Sequence, residues 1–140
     1  SYTLSMHIVN INLHEIFQAL SDPYRIRIIR LMQKVDGELC LCELSEALDE
    51  PEYKLSRHIK ILKSCGLISS IRDGKWIYHS LISDKKFLKS IFKSLDEFPD
   101  KGQQTLLDMK RFTKRLKLRN NDRCQVQSKV AIKSETKANA

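Results

Sequence analysis

Four cysteines, at 40, 42, 65 and 124, are the residues of this 140-residue chain best suited to chemistry. Two of them stand one residue apart in Glu38-Leu39-Cys40-Leu41-Cys42-Glu43-Leu44. Thiolates are soft ligands and suit soft ions: As(III), Sb(III), Cd(II), Pb(II) and Zn(II). The surrounding segment has the pattern of an amphipathic helix over about Glu38 to Leu48, with Leu41, Leu44, Ala47 and Leu48 as its apolar stripe. In a helix, positions i and i+2 are roughly 200° apart around the axis. Sulfurs bonded at about 2.3 Å to one ion must come within about 4 Å of each other. Joint ligation by Cys40 and Cys42 is therefore expected to unwind or tilt the first helical turn. Cys40 shares the side of Leu44, and Cys42 is expected toward the polar side with Glu46 and Asp49. The helix dipole favours thiolates there, while Glu38 and Glu43 oppose them.

A Cys40–Cys42 disulfide would close a small strained ring, and the spacing of the four cysteines is not that of a secreted disulfide framework. Free or metal-bound thiols in the cytoplasm are expected. The first residues have no basic stretch followed by a small-residue cleavage site, and no run approaches the roughly 18 apolar residues of a membrane span. No nucleophile–base pair, phosphate loop or acid pair is visible, so an enzyme is not expected.

The elements that position the thiols follow from periodicity. Leu13, Ile16, Phe17 and Leu20 recur at helical spacing, and Ser21-Asp22-Pro23 ends that helix and caps the next. Gly37 closes the second helix. After the Cys-bearing helix, Asp49-Glu50-Pro51 forms a short turn into a fourth helix, about Glu52 to Cys65, with Leu55, Ile59 and Leu62 inward and Gly66 as its left-handed cap. Two short helices joined by a tight turn fit a helix-turn-helix. Leu67 to Arg72 and Lys75 to Leu81 are β-rich runs joined by Asp73-Gly74, a type I′ hairpin signal, and a hairpin at that place makes a wing. Helix resumes from about Asp84 to Phe98, and another helical pattern carries Leu106, Met109, Phe112 and Leu116. The expected fold is mainly α with a small β-hairpin: a winged helix-turn-helix domain over 1–119, dimeric, followed by a basic flexible tail over 120–140.

The net charge of +8 points to a polyanionic partner, but its distribution matters. Residues 1–109 hold 15 Lys/Arg against 15 Asp/Glu, whereas residues 110–140 hold 10 against 2. A nucleic-acid surface in the domain must therefore come from local clustering. The fourth helix supplies one. Lys54, Arg57, His58, Lys60 and Lys63 lie on faces left open by the apolar stripe, with Tyr53, Ser56 and Arg57 in the half able to reach base edges. His58 fits a phosphate contact or helix packing equally well. The wing tip adds Arg72 and Lys75. Trp76 and Tyr78 are expected to pack the wing root. Lys110, Arg111, Lys114, Arg115, Lys117 and Arg119 suit either DNA phosphates or a solvated helix.

The succession Glu38-Leu39-Cys40-Leu41-Cys42-Glu43-Leu44, Lys54-Leu55-Ser56-Arg57-His58-Ile59-Lys60-Ile61-Leu62, Gly66-Leu67 and Gly74-Lys75-Trp76-Ile77-Tyr78 resembles the ArsR/SmtB family of winged-helix repressors, and most of all its arsenic-responsive branch. The resemblance covers about residues 12–100. It implies a homodimer that binds double-stranded operator DNA and releases it when a metalloid or metal ion, foremost As(III) or Sb(III), binds Cys40 and Cys42. Cd, Pb, Zn or thiol redox state sensed by the same cysteines is the alternative. It also implies that the terminal helices form the dimer interface, with Leu13, Ile16, Phe17, Phe87, Ile91, Leu106 and Met109 as candidates. Several arsenic repressors carry a third cysteine three residues after the second, where this chain has Ser45. Either a third thiol comes from elsewhere, with Cys124 folding back from the tail as one candidate, or two thiols bind the ion together with solvent or a small-molecule thiol. Cys65 fits a helix-end core residue better, and His7 and His14 would suit zinc or cadmium more than arsenic.

Overall fold

The computed structural model describes residues 11–130. Helix α1 (Leu13–Ala19) leads into α2 (Pro23–Val35). Asp22 caps α2, its carboxylate accepting from the N–H groups of Tyr24 at 2.8 Å and Arg25 at 3.2 Å, and Pro23 stands at a first-turn position that needs no N–H donor. A two-residue strand, β1 (Leu39–Cys40), precedes α3 (Leu41–Leu48). Helix α4 (Glu52–Ser64) follows after a three-residue turn, and α3 and α4 form the helix-turn-helix. Strands β2 (Ile68–Asp73) and β3 (Trp76–Leu81) form the wing, and α5 (Lys86–Glu97) and α6 (Gln104–Leu116) complete the described body. Ile28, Ile29, Leu31, Leu44, Leu48, Leu55, Leu62 and Phe92 are all buried in one continuous core.

The sheet is three-stranded and antiparallel, ordered β1-β3-β2. The wing register pairs Asp73 with Trp76, so the two loop residues are Gly74 and Lys75. Gly74 has φ +64°, whereas Lys75 is not among the residues of positive φ. The expected type I′ turn centred on Asp73-Gly74 is thus displaced by one residue. Glycine at the first loop position is the requirement of a II′ loop. The third strand was not anticipated. It pairs Leu39 with His79 and Cys40 with Tyr78.

Beyond α6 the chain does not leave the domain. Asn120 and Arg123 exchange backbone hydrogen bonds at 2.9 and 3.0 Å around Asn121 and Asp122, whose φ angles are 53° and 62°. Two consecutive left-handed residues make a tight reversal, and asparagine and aspartate tolerate that region better than other side-chain-bearing residues. The returning strap, 124–130, lies against α3 and buries Cys124, Ser128 and Val130. The segment expected to be flexible from residue 120 is therefore packed on the domain as far as Val130. Residues 131–140, the end of the expected tail, lie outside the described residues.

Candidate metal centre and nucleic-acid interface

Cys40 is not in the helix. It is the N-cap of α3, with extended φ −94° and ψ 166°, and its own backbone is held in the sheet by Tyr78. Its N–H donates to the Glu43 carboxylate at 3.0 Å. Cys42 lies inside the first turn. The 200° separation of a regular helix does not apply to a pair that straddles the strand–helix junction, and their sulfurs stand 2.7 Å apart. The expectation that the first turn must unwind to bring them together is corrected by this geometry. So is the expectation that Cys42 faces the polar side. It is 2% exposed, because α6 and the strap cover that face of α3.

The strap brings the third sulfur. Cys124 Sγ is 3.0 Å from both Cys40 Sγ and Cys42 Sγ, and Cys124 is buried as well. Among the described residues these three form the cluster of metal-type ligands, with ligand atoms all within 4.8 Å of one another. A triangle of this size has a circumradius of about 1.7 Å, less than a sulfur–ion bond of about 2.3 Å. An ion bonded equally to all three must therefore sit about 1.6 Å above the sulfur plane, at the apex of a pyramid. Cys65 is not part of the cluster. It is a core residue whose thiol donates to Leu62 O at 3.4 Å. His14 is exposed on α1. His7 lies outside the described residues.

A salt-bridge frame holds the site. Arg111, Arg115 and Arg119, four residues apart, turn one face of α6 and its extension onto α3. Arg119 donates to both oxygens of fully buried Glu43, at 2.6 and 2.7 Å, and to Glu38 O at 2.8 Å. Arg115 pairs with Glu46 at 3.1 Å, approaches Cys124 Sγ at 3.5 Å and donates to Val126 O of the strap. Arg111 reaches Ala47 O at 2.7 Å. The C-terminal charge excess is thus not all a free cationic run. Lys110, Lys114 and Lys117 remain exposed, while the arginines are spent on α3. Tyr78, buried at the wing root, accepts from Cys124 N–H at 2.8 Å, and Ser128 Oγ meets Ser45 Oγ at 2.8 Å. Ser45, where the resemblance leads one to look for a third cysteine, is instead the mooring of the strap that delivers one.

The electrostatics favour one shared thiolate. Hydrogen bonding from Cys40 pulls Cys42 down to about 7, against burial, with Cys124 and Arg115 adding to the effect. The same bond, then burial, pushes Cys40 far up. Burial raises Cys124. Cys42 is thus the sulfur most disposed to ionise, with its neighbours as donors, and a thiolate is the form that ligates a soft cation.

The candidate DNA contacts divide in two. Tyr53, Ser56, Arg57, Lys60 and Lys63 are exposed on α4, and Arg72 and Lys75 are exposed on the wing. Lys54 and His58 are engaged with α2. The Lys54 ammonium lies 3.8 Å from the Tyr24 ring centre and 3.2 Å from Glu50, while the His58 ring stacks on Tyr24 with centroids 5.7 Å apart. Burial holds His58 below its ordinary value. Of the apolar residues considered for dimerisation, Leu13, Phe17, Phe87 and Leu106 are exposed, and Ile16 is core.

A helix-turn-helix followed by a β-wing is an architecture that DNA-binding regulators use. Residues 22–70 match the sequence profile described as "Bacterial regulatory protein, arsR family". An uncharacterized HTH-type transcriptional regulator of Methanocaldococcus jannaschii is 34% identical over 83 residues, which is 59% of this chain and 90% of that protein. The chain belongs to the ArsR family. The arsenical resistance operon repressor of Escherichia coli is 39% identical over 67 residues, 48% of this chain and 56% of the repressor. A cadmium resistance transcriptional regulatory protein CadC homolog of Staphylococcus aureus is 33% identical over 67 residues, 48% of this chain and 54% of its own length. The chain thus spans little more than half of those two relatives. Reduced HlyU from Vibrio cholerae superposes with a TM-score of 0.52 at 25% identity, covering 58% of this chain and 81% of HlyU. No helix among the described residues is long and apolar enough to cross a membrane.

Proposed function

We propose that this protein is a homodimeric, cytoplasmic transcriptional repressor that leaves its operator when a trivalent thiophilic ion, As(III) or Sb(III), is bound by Cys40, Cys42 and Cys124. The observation that carries this reading is the convergence of three sulfurs within 3.0 Å. Zinc and cadmium favour a four-coordinate shell, whereas a trivalent metalloid is complete with three thiolates. Three buried sulfurs with no fourth ligand in their cluster among the described residues favour the metalloid. The E. coli relative bears an arsenical name, which supports the same choice, and the cadmium name of the S. aureus relative keeps the larger ion as its competitor.

The site has two mechanical links to the DNA-reading elements. Cys40 is in register with Tyr78 on a wing strand. The strap carrying Cys124 is tied through Ser128 to Ser45, whose hydroxyl donates to Glu50 O at 2.5 Å, in the turn before α4. An ion that repositions the sulfurs shifts both wing and recognition helix, and it does so only to the extent that it prefers the DNA-incompetent state.

The test is binding of the chain to its own upstream DNA, titrated with arsenite, antimonite, cadmium, lead and zinc, for wild type and for the Cys40→Ser, Cys42→Ser and Cys124→Ser variants. Arsenite or antimonite should release DNA at the lowest concentration, and each substitution should raise that concentration at least tenfold. Release by cadmium at lower concentration than arsenite, or variants that respond like wild type, would reject the assignment. A redox reading of the same thiols gains from Cys124, because Cys40 and Cys42 pair poorly with each other but each lies 3.0 Å from a sulfur distant in sequence. Oxidant-driven release accompanied by a Cys124 disulfide in peptide mapping would favour it.

A further inference from the structure

A cavity of about 470 Å³ lies where the first half of α2 meets the chain between α5 and α6. Arg27, Arg30, Lys101 and Asp100 supply its charges. Tyr24, Pro23, Ile26 and Pro99 supply its ring faces and apolar wall, and Gln104 and Thr105 complete it. The volume is within the range of small-molecule sites, about 300–1,000 Å³. Half of this lining, within 99–105, lies beyond residues 22–70, the part matched by the family profile. The charge balance is cationic. Asp100 is committed to α6, accepting from the N–H groups of Thr105 at 3.0 Å and Leu106 at 3.3 Å. Asp108 is shared by Arg27 and Arg111, at 2.9 Å from each, so it offsets only one of those two charges. Arg30 donates to the backbone carbonyls of Phe98 and Pro99, and its Nε is buried without a hydrogen-bond partner among the described residues. Lys101 is exposed.

We propose that this recess binds a small aromatic carboxylate, and that its occupancy weakens operator binding through Tyr24. Surplus guanidinium and ammonium charge pairs with the carboxylate, and a flat ring packs against the tyrosine and the two prolines. Tyr24 joins the recess to the recognition helix. The Lys54 ammonium lies 3.8 Å from its ring centre, and the His58 ring stacks on it with centroids 5.7 Å apart. A ring packed on Tyr24 disturbs the seat of both α4 side chains. The added negative charge also lowers the positive potential that α4 offers to phosphates. By linkage, operator DNA lowers carboxylate affinity by the same factor. The inference goes beyond the thiol-sensing reading and does not require the thiols.

Benzoate is the probe, with benzamide as its neutral counterpart and acetate as the anion without a ring, all at equal ionic strength in metal-free buffer. Saturation-transfer NMR on the full chain should show benzoate binding at least tenfold tighter than either control. In the histidine ring spectrum, benzoate should shift the His58 signal and leave that of His79, on the wing, in place. Lys101→Glu, a change at an exposed side chain, should weaken benzoate binding at least fivefold with the urea midpoint unchanged. Saturating benzoate should weaken operator affinity at least threefold in wild type, and the same concentration should have a smaller effect on Lys101→Glu. Benzoate that binds no tighter than benzamide or acetate overturns the site. An unshifted His58 signal, or Lys101→Glu binding benzoate as wild type does, overturns it as well. Binding that leaves operator affinity unchanged overturns the coupling to α4.

Discussion

Arg119 is the residue whose loss tests the architecture of the site most sharply. Its guanidinium holds both oxygens of Glu43 at 2.6 and 2.7 Å, and the Glu43 carboxylate also accepts the Cys40 N–H at 3.0 Å. Glu43 is fully buried and Arg119 nearly so, with side-chain exposures of 0% and 11%. Burial alone would raise the Glu43 carboxyl, yet the Arg119 bonds and the Cys40 N–H hold it below the usual carboxylate range. Replacing Arg119 by alanine strands that carboxylate without its counter-ion. Breaking a buried pair from one side costs about 3–5 kcal/mol. The Arg119 contact to exposed Asp122 contributes little, and solvent reaches the partly exposed Arg119 side of the pair, so the lower end, about 3 kcal/mol, is the expected loss. Urea unfolding should show it as a lower midpoint at unchanged slope. The additional substitution Glu43→Gln removes the stranded charge, and the double variant should recover at least about 1 kcal/mol of the loss. Arsenite affinity should fall in Arg119→Ala even where the protein remains folded, because Glu43 orients the Cys40 backbone. The sign with pH follows. A carboxyl depressed in the folded state stabilises above its unfolded pKa, and that contribution fades as pH falls through the folded value. Arg119→Ala should therefore be less sensitive than wild type to acid below about pH 4.3. A loss under about 1 kcal/mol, or a double variant no more stable than Arg119→Ala, would refute the view that this pair braces the site.

Three further outcomes are expected. His79 is buried with its Nδ1 2.7 Å from Ser70 Oγ, and burial lowers it to about 4, so the unfolded chain binds its proton first. Up to about 3 kcal/mol of stability present above pH 6.5 should disappear between pH 6.5 and 4, and His79→Gln should flatten that slope in pH-dependent urea unfolding. Arg57→Ala should cost about 1–3 kcal/mol of operator affinity and relax base preference. Lys60→Ala or Lys63→Ala should instead weaken all sequences alike and reduce the salt slope by about 1, as read by anisotropy against salt. Phe17→Glu, at a side chain 57% exposed on α1, should shift the protein toward monomer in sedimentation and cut operator affinity, since a palindrome is read by two copies.

The helices and the wing were legible because their signals are local. Asp22-Pro23 marks a helix start by capping chemistry, and Leu55, Ile59 and Leu62 mark a buried stripe by period. The two thiols were conspicuous for the same reason. What could not be read directly was their geometry. A helical pattern extended through Cys40, whereas a ladder to Tyr78, 38 residues away in the chain, pulls that residue into a strand. Pairing of this kind is tertiary and overrides local propensity. The arrival of the third sulfur depends on a chain reversal that no single residue announces. Asn120-Asn121-Asp122 is a turn signal of recognisable composition, and arginines at 111, 115 and 119 share a helix face. Taken together they describe a helix clamped to something acidic and then reversed.

The clamp and the strap together explain how a three-sulfur site can be assembled in a chain with Ser45 on the helix in place of a third thiol. In a site drawn from a single helix, ligand spacing is set by 3.6 residues per turn, and neighbouring thiols on that helix are constrained to its faces. Here the three ligands come from a strand end, a helix turn and a returning strap, so each sulfur is positioned by a different set of bonds. Cys40 is placed by Tyr78 and Glu43, Cys42 by α3, and Cys124 by Tyr78 and Arg115. Tyr78 is common to two of them. Its backbone registers Cys40 and its hydroxyl receives the Cys124 N–H, while its own strand is the wing. On the proposed function, Tyr78 is one of the links by which a change in sulfur spacing reaches β3 and with it the wing. Tyr78→Phe isolates that link. It keeps the ring and the strand register but deletes the hydroxyl, and so should loosen Cys124 while sparing Cys40. The expected result is weaker arsenite binding by at least fivefold with operator affinity in the absence of ion within about twofold. Equal losses of ion and DNA binding would argue that Tyr78 supports the wing as a whole and not the third sulfur.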